Sequence, residues 1–294
     1  MSGPSNQRMS GSDRRVSGPS NRRRRRIPVV AILSAVLLAF VAICALAQEL
    51  IAPKALEQDI YLGVVGGGVE GHLFGTDQLG RDILQLSLAG ARSALAGPLV
   101  VAVGSMLIGF FLGTFAGYRG GIVDMLAGRY ADLLLALPAV LLAIVVAGLV
   151  GRGYWVTVVV LIVLFSPSDV RLVRSAVIEQ APRPYIESAR VLGIRPSRIM
   201  FRHIAPNIVP IVVANLLLNV AFALVALSSL SYLGLGVPPG APDWGRQLAD
   251  GRQLLGDNPL AAVVPGVLII LTATAVNLLG DWLSDLLDRR MVAR

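Results

Sequence analysis

Six apolar blocks of 19 to 25 residues constrain this 294-residue chain more than any other feature of its sequence. The blocks cover residues 27–47, 93–117, 133–151, 154–173, 208–230 and 259–280. About 20 apolar residues in a helix are long enough to cross the hydrocarbon core of a bilayer. Only 15% of the residues are charged, whereas a soluble domain has about 25%. The sequence therefore predicts an all-α membrane protein with six transmembrane helices, and it excludes a soluble enzyme.

The basic character of the chain is concentrated in residues 1–26. The formal net charge is +8, and this segment alone holds eight arginines and one aspartate. It is rich in Ser, Gly and Asn and has no hydrophobic periodicity, so it cannot bury a core. We interpret residues 1–26 as a disordered tail. Because the remaining chain is close to neutral, we expect no nucleic-acid partner.

The first apolar block, residues 27–47, has two interpretations. Arg22–Arg26 and the small residues around Ala45 and Ala47 resemble the ends of a cleaved signal peptide. The apolar region of a signal peptide is usually about 7–15 residues long, which is shorter than this block. We therefore expect residues 27–47 to remain as the first transmembrane helix.

The distribution of Lys and Arg predicts the orientation. Twenty of the 26 basic residues lie in the tail, in residues 118–132, in residues 171–206 and after the last block. Cytoplasmic loops carry the excess of positive charge. We therefore expect both termini in the cytoplasm, an external segment at 48–92, a cytoplasmic loop at 174–206 and a cytoplasmic C-terminal segment at 282–294.

The polar residues within the blocks are few. Asp169 and Arg171 stand only at the end of the fourth block, so we expect no charged side chain deep inside a span. Ion-coupled carriers usually retain such a charge. Energy for transport would then come from elsewhere, although a channel remains an alternative. Asn215 and Asn219 lie on one face of the fifth helix. They either make hydrogen bonds between helices or line a candidate translocation path.

Three glycines of the second helix lie at four-residue spacing, at positions 109, 113 and 117. Such a stripe allows another helix to approach closely. We expect the partner helix to belong to this chain, with contact to another subunit as the alternative.

Motifs for enzymatic chemistry are missing from the sequence. The GxGxxG-like string at 66–71 lies in the predicted external loop rather than in a βαβ unit. The only lysine, Lys54, is followed by Ala55, so there is no nucleotide-binding P-loop. His72 and His203 are predicted on opposite sides of the membrane. We therefore predict no catalytic residues, no metal site and no cofactor, and we do not expect an enzyme.

The cytoplasmic loop contains a predicted helical hairpin. Residues 185–192 have the apolar spacing of a short amphipathic helix, and Gly193 is suited to end it. A second helix is predicted from Ser197, and Pro206 opens the return to the membrane. Such a compact unit could insert into the cleft of another protein. The alternative is an ordinary surface loop.

These residues resemble the EAA coupling loop of bacterial ABC importer permeases. The matching positions are Glu187, Ser188, Ala189, Leu192, Gly193, Ile199, His203, Pro206 and Asn207. Residues 73–82 with 90–93, 230–237 with 243–245, and 277–288 are similar to segments of peptide/nickel-type permeases. Together they resemble the C-type permease subunit of oligopeptide and dipeptide importers.

The resemblance implies a type I ABC importer permease fold, with a core at 93–281, in the bacterial cytoplasmic membrane. It implies a homologous B-type permease subunit, two ATPase subunits that bind ATP and Mg, an external peptide-binding protein and membrane lipid as partners. The implied cargo is a peptide, with nickel or another small solute as the alternative. A secondary transporter is a further alternative.

The resemblance also assigns roles to individual residues. Glu187 would make a polar contact with an ATPase, Ala189 and Leu192 would pack in its groove, and Gly193 would form the turn. Ser188 replaces the first alanine of the motif and is similarly small.

The external segment contains three charged residues of interest. Asp77, Arg81 and Asp82 either shape the external mouth of the path and meet the binding protein, or form a solvated loop network.

Overall fold

The computed structural model describes residues 29–69, 71–151 and 153–292. The predicted tail, residues 1–26, lies outside this set. The described residues form twelve α-helices, and a π-helix, Ile199–Ile204, leads directly into α10. The helices are α1 (Val29–Leu46), α2 (Gln48–Ile51), α3 (Ile83–Ala89), α4 (Ala91–Arg119), α5 (Gly121–Leu135), α6 (Ala139–Val150), α7 (Tyr154–Gln180), α8 (Pro184–Val191), α9 (Pro196–Arg198), α10 (Ala205–Tyr232), α11 (Trp244–Gly251) and α12 (Leu260–Val292).

Five of the described segments are long and apolar enough to span a membrane as continuous or nearly continuous helices. They are α1, α3 with α4, α7, residues 196–232 and α12. Helices α5 and α6 pass the same test only as a pair, and their axes differ by 86°. The all-helical prediction is confirmed, with five spans or six if the bent pair counts as one.

The third predicted block, 133–151, is therefore not one straight helix. Helix α5 ends at Leu135 and α6 begins at Ala139, and Pro138 has an extended conformation between them. A proline disfavours helical geometry in the residue before it, here Leu137. The residues on both sides of this turn are apolar, so the hydropathy of the block does not show where the helix is interrupted.

The fourth block extends beyond its predicted end at residue 173. Helix α7 contains Pro167, whose missing N–H would have bonded to the carbonyl oxygen of Val163. That carbonyl instead accepts from Ser166 Oγ at 2.9 Å and from the Tyr130 hydroxyl at 3.2 Å. The helix continues to Gln180, and Asp169 lies within it, fully buried. The expectation of charge-free spans is therefore wrong.

The glycine stripe of α4 packs against α7 of the same chain. A Cβ on Gly109 would lie 2.8 Å from the carbonyl carbon of Asp169. One on Gly113 would lie 2.8 Å from the Val170 carbonyl oxygen, and Gly117 approaches Arg174 in the same way. The stripe thus serves packing within the subunit, as expected.

Two features mark the opposite ends of the bundle. The cap, which we define as residues 52–90 and 233–259, lies where α10 ends and α12 begins. It is held by hydrogen bonds from Arg81 to the Gly240 carbonyl (2.8 Å) and from Trp244 Nε1 to the Ser87 carbonyl (2.7 Å). The projection, which we define as residues 184–204, lies at the other end, where α10 begins.

Candidate functional site

The turn of the projection is built around Gly193. This residue has a φ of +72°, in the left-handed region that favours glycine. The Gly193 N–H donates to the Arg190 carbonyl at 2.9 Å, and the Ile194 N–H donates to the Ala189 carbonyl at 3.1 Å. This pair of bonds is the Schellman arrangement that ends many helices. The predicted helix and its glycine stop are therefore observed.

One face of the projection packs against its own bundle. Ile186, Ala189 and Ile199 are buried in a cluster with Val173 and Val177 of α7. Ala189 is only 5% exposed. It therefore does not fit the expected role of packing in a partner's groove, because the apolar face of α8 covers this chain's own helices.

The tip of the projection faces away from the bundle. Val191 is 88% exposed and Leu192 is 78% exposed. Glu187, Ser188 and Gly193 are also exposed beside them. Single apolar residues on a surface are common and need no explanation. Val191 and Leu192 are adjacent, however, and together they form a small exposed apolar surface at the end of the turn. Leu192 is therefore accessible to a partner, and its packing in an ATPase groove stays a prediction.

The remaining motif residues connect the projection to α10. His203 is half-buried in the π-helix, and its carbonyl accepts from Asn207 Nδ2 at 2.8 Å. The same Nδ2 donates to the Tyr185 hydroxyl at 2.9 Å, which joins α10 to α8. Pro206 occupies the first turn of α10, directly after the π-helix. The projection and α10 are therefore tied together.

The projection also contacts the end of α4. The Arg190 guanidinium lies 5.1 Å from the centre of the Tyr118 ring, within the range of a cation–π contact. The Phe201 ring lies 5.9 Å from that of Phe115. A displacement of the projection would thus act on both α4 and α10.

The two asparagines of α10 meet Asp169 of α7. Asn215 Nδ2 donates to Asp169 Oδ1 at 2.6 Å, and Asn219 Nδ2 donates to the same oxygen at 2.8 Å. Both asparagines remain half-buried, whereas Asp169 is fully buried. The interhelical hydrogen bonds that the sequence suggested are present, and their partner is a carboxylate that the sequence analysis placed at the end of the fourth block.

The same two asparagines line a groove of about 450 Å³. Residues of α5, α6, α7 and α10 line it, and most of them are apolar. The lining residues are Leu135, Ala139, Val140, Leu164, Phe165, Ser168, Asn215, Asn219, Phe222, Val225, Ala226 and Ser229. The two interpretations of the asparagine pair are therefore compatible, because the same side chains bond to Asp169 and line a groove.

Two charged residues of the cap, Asp77 and Arg81, form a buried pair. Asp77 and Arg81 are 8% and 6% exposed, and Arg81 Nε donates to Asp77 Oδ2 at 2.7 Å. Asp82 accepts from the Gln85 N–H at the start of α3 and pairs with His72 Nδ1 at 2.6 Å. The solvated-network interpretation is wrong for Asp77 and Arg81, and their burial leaves little surface for a partner.

Replacing Arg81 by Met is expected to lower the free energy of unfolding by about 3 kcal/mol, because a buried charge pair that loses one partner costs about 3–5 kcal/mol. Thermal unfolding of the detergent-purified chain measures the change. Lys54→Met is the matched control, since Lys54 pairs with Glu57 at 66% side-chain exposure and such surface pairs contribute about 0–1 kcal/mol. Equal melting temperatures for the two variants would contradict the prediction.

A second buried carboxylate fixes the cap to α4. Asp243 begins α11, where it accepts from the Arg246 N–H at 2.9 Å, and it also accepts from Ser93 Oγ at 2.9 Å. Burial raises the pKa of the Asp243 carboxyl, against the opposing effect of the Arg246 and Ser93 hydrogen bonds. The Asp-Trp-Gly string found in the sequence is thus a helix start and a packing contact.

The described residues hold no group of side chains suited to a metal ion. Within residues 29–69, 71–151 and 153–292, no three His, Cys, Asp or Glu side chains converge.

The described residues thus form a bundle of helices long and apolar enough to span a membrane, with a short helical projection at one end. Residues 109–293 match the family model described as binding-protein-dependent transport system inner membrane component. The chain belongs to this family of ABC importer permeases, and it is a multi-pass protein of the cytoplasmic membrane.

Several curated proteins are similar over most of the chain. The glutathione transport system permease protein GsiD of Pectobacterium atrosepticum is 38% identical over 91% of this chain and 88% of its own length. The dipeptide transport system permease protein DppC of Alkalihalophilus pseudofirmus is 32% identical over 92% and 88%. The di/tripeptide transport system permease protein DppC of Pseudomonas aeruginosa is 36% identical over 76% and 74%.

A solved structure supports the fold. A chain of the MetNI methionine ABC transporter, in an inward-facing conformation, superposes with a TM-score of 0.57. The match covers 69% of this chain and 96% of that chain, at 19% identity. The arrangement of helices is thus that of an ABC importer permease.

Proposed function

We propose that this chain is the permease subunit of an ATP-driven importer of peptides. The support comes from the relatives, whose names specify dipeptides, di/tripeptides and glutathione, itself a modified tripeptide. The groove agrees with such cargo, because its apolar walls accept varied side chains and its two asparagines offer hydrogen bonds.

The single observation that carries the proposal is the exposed tip of the projection. The apolar side chains of Val191 and Leu192 point away from the bundle on a turn fixed by Gly193. Buried apolar anchors surrounded by polar residues are typical of protein interfaces. In this proposal the tip inserts into a cytoplasmic ATPase, and Glu187 makes a polar contact at the edge. Partner subunits bind the ATP and Mg.

The proposal places the projection and both termini in the cytoplasm. The excess of Lys and Arg in the tail and around the projection supports this orientation. The cap would then face outward, where an external peptide-binding protein delivers cargo.

A second permease subunit completes the path. The groove is open along one side of this chain, and a path for polar cargo through a bilayer must be enclosed. A homologous B-type subunit would supply the opposite wall, and lipid would cover the outer helices. Two ATPase subunits would then serve the two permeases.

Coupling follows from the connection between the projection and α10. The π-helix Ile199–Ile204 continues into α10, which carries Asn215 and Asn219 on the groove. A ligand shifts a conformational equilibrium only when it binds the two states with different affinity. ATP bound to the ATPases would favour one position of the projection, and α10 would follow it.

One observation favours a second candidate function. Asp169 is a buried carboxylate inside a membrane-spanning helix, and such residues often mark proton relays. A proton-coupled carrier is therefore the competing proposal, although its Asp169 would have to exchange protons with the groove through two asparagines.

Uptake by the reconstituted importer tests the proposal. We expect proteoliposomes with both permeases, both ATPases and the binding protein to accumulate labelled Ala-Ala only when ATP is present on the ATPase side. Omission of the ATPases, with an imposed proton gradient, is the control. Uptake in that control would favour the carrier, and uptake of nickel without uptake of Ala-Ala would favour the alternative cargo.

A further inference from the structure

Asp169 fixes the orientation of two amide groups. One of its oxygens, Oδ1, accepts from both Asn215 and Asn219, and the other, Oδ2, has no hydrogen-bond partner among the described residues. A carboxylate can only accept hydrogen bonds, and the amide of asparagine donates only through its nitrogen. Both amides must therefore turn their NH₂ groups toward Asp169.

The carbonyl oxygens of the two amides consequently point away from Asp169. Asn215 and Asn219 line the groove, so we expect these oxygens to be accessible from it. Without Asp169, each amide could present either its donor or its acceptor end. The buried carboxylate of Asp169 thus leaves only the acceptor end of each of the two amides available to a ligand.

The spacing of these acceptors matches an extended peptide. Side chains four residues apart on a helix have Cβ atoms about 5–6 Å apart. In an extended chain that rises about 3.3 Å per residue, every second N–H lies on the same edge, about 6.6 Å apart. Two successive N–H groups of one peptide edge, or an N–H and the terminal ammonium group, can therefore reach Asn215 and Asn219.

The length and polarity of the groove agree with this ligand. Its α10 wall extends from Asn215 to Ser229, about 21 Å at 1.5 Å per residue. An extended peptide of about six residues has this length. Between these polar ends the α10 wall carries Phe222, Val225 and Ala226, which accept varied side chains without requiring hydrogen bonds.

We infer that Asp169 is a positioning residue that makes the groove select cargo with N–H or ammonium donors, namely peptides in an extended conformation. The inference rests on the proposed peptide import and adds a specificity determinant to it. Asp169 itself does not touch the cargo, because it is fully buried behind the asparagines.

A pair of tripeptides that differ in one donor tests the inference. The probes are Ala-Ala-Ala and the same peptide N-methylated at the amide nitrogen of its third residue, which lies on the same edge as the terminal ammonium group. Both must first be shown to load the binding protein equally. ATP-dependent uptake of each is measured with the complete importer in proteoliposomes. We expect the wild type to prefer the unmodified peptide by about two- to ten-fold, the range for one hydrogen bond.

Asp169→Asn is expected to reduce this preference to less than two-fold, because its amide permits Asn215 and Asn219 to rotate. Asn219→Leu should also reduce it, while the hydrogen bond from Asn215 to Asp169 is retained. Thr114→Val is the matched control, since it changes a buried, unpartnered hydroxyl of α4 that does not line the groove. Its preference should equal that of the wild type.

The outcomes distinguish a failure of the role inferred for Asp169 from a failure of the proposed peptide import. If Asp169→Asn and Asn219→Leu slow both peptides equally and retain the wild-type preference, Asp169 is only a packing residue and the inference is wrong. A wild type without any preference also overturns it. If the wild type transports neither peptide with ATP, the proposed function fails and the inference fails with it.

Discussion

Replacement of Gly193 by Asp is expected to reduce peptide uptake on the order of 100-fold, the cost of burying an uncompensated charge at an interface. The projection itself should tolerate the change. A Cβ at this position would meet nothing within 4 Å, and aspartate is among the residues that accept a positive φ. The new carboxylate would lie beside Val191 and Leu192, where docking to an ATPase would remove it from water.

The measurement compares ATP hydrolysis with uptake in the reconstituted importer. We expect hydrolysis to persist while uptake is lost. Gly193→Asn is the matched control, because it has the same backbone tolerance and nearly the same size without the charge, and it should keep most of the uptake. Normal uptake by Gly193→Asp would show that the tip does not enter an apolar contact.

Replacement of Gly109 by Leu is expected to prevent correct folding. The Cβ alone would approach the backbone of Asp169 and Val170 to 2.8–3.0 Å, and the other three carbons would have no space between α4 and α7. Overpacking a core costs about 1–3 kcal/mol, and occasionally more, and here the opposing atoms belong to a helix backbone that cannot rotate away.

Size-exclusion chromatography of the detergent-purified chain measures this effect. Gly109→Leu should give aggregates or no protein. Gly128→Leu is the matched control, because Gly128 of α5 has open space around its Cβ position, and it should elute like the wild type. A monodisperse Gly109→Leu protein with unchanged melting temperature would contradict the packing of α4 against α7.

The features that the sequence predicted correctly are governed by local rules. Hydrophobic blocks predict helices because insertion depends on composition over about 20 residues. The turn at Gly193 follows from the need of a helix end for a positive φ. The four-residue spacing of the glycines predicts a close helix contact, which Gly109 and Gly113 make with α7.

The errors concern contacts between distant parts of the chain. In the sequence, Pro167 and Asp169 look like the end of a span. In the structure, the Val163 carbonyl that Pro167 leaves without a helical donor accepts from the Tyr130 hydroxyl of another helix. Asp169 accepts from Asn215 and Asn219. A signal did exist, because two asparagines at four-residue spacing on an apolar helix need hydrogen-bond partners on the same side of that helix. Asp169 is the only carboxylate within the six predicted blocks.

The roles of individual charged and apolar residues depend on which face of a short helix points inward. The amphipathic pattern of α8 is correct, but the sequence does not state whether Ala189 covers this chain or a partner. Asp77 and Arg81 form a buried pair because the cap folds Gly240 over them, a contact across more than 150 residues. Such pairings are set by tertiary structure rather than by motif.

The location of the projection tip tests the central claim most directly. A Leu192→Cys variant, in a Cys44→Ala background that removes the one native thiol, can be labelled with a membrane-impermeant maleimide in vesicles of either orientation. We expect labelling only in inverted vesicles, which expose the cytoplasmic face, and we expect bound ATPases to block it. Labelling in right-side-out vesicles, or labelling unaffected by the ATPases, would contradict a cytoplasmic projection that couples this permease to ATP hydrolysis.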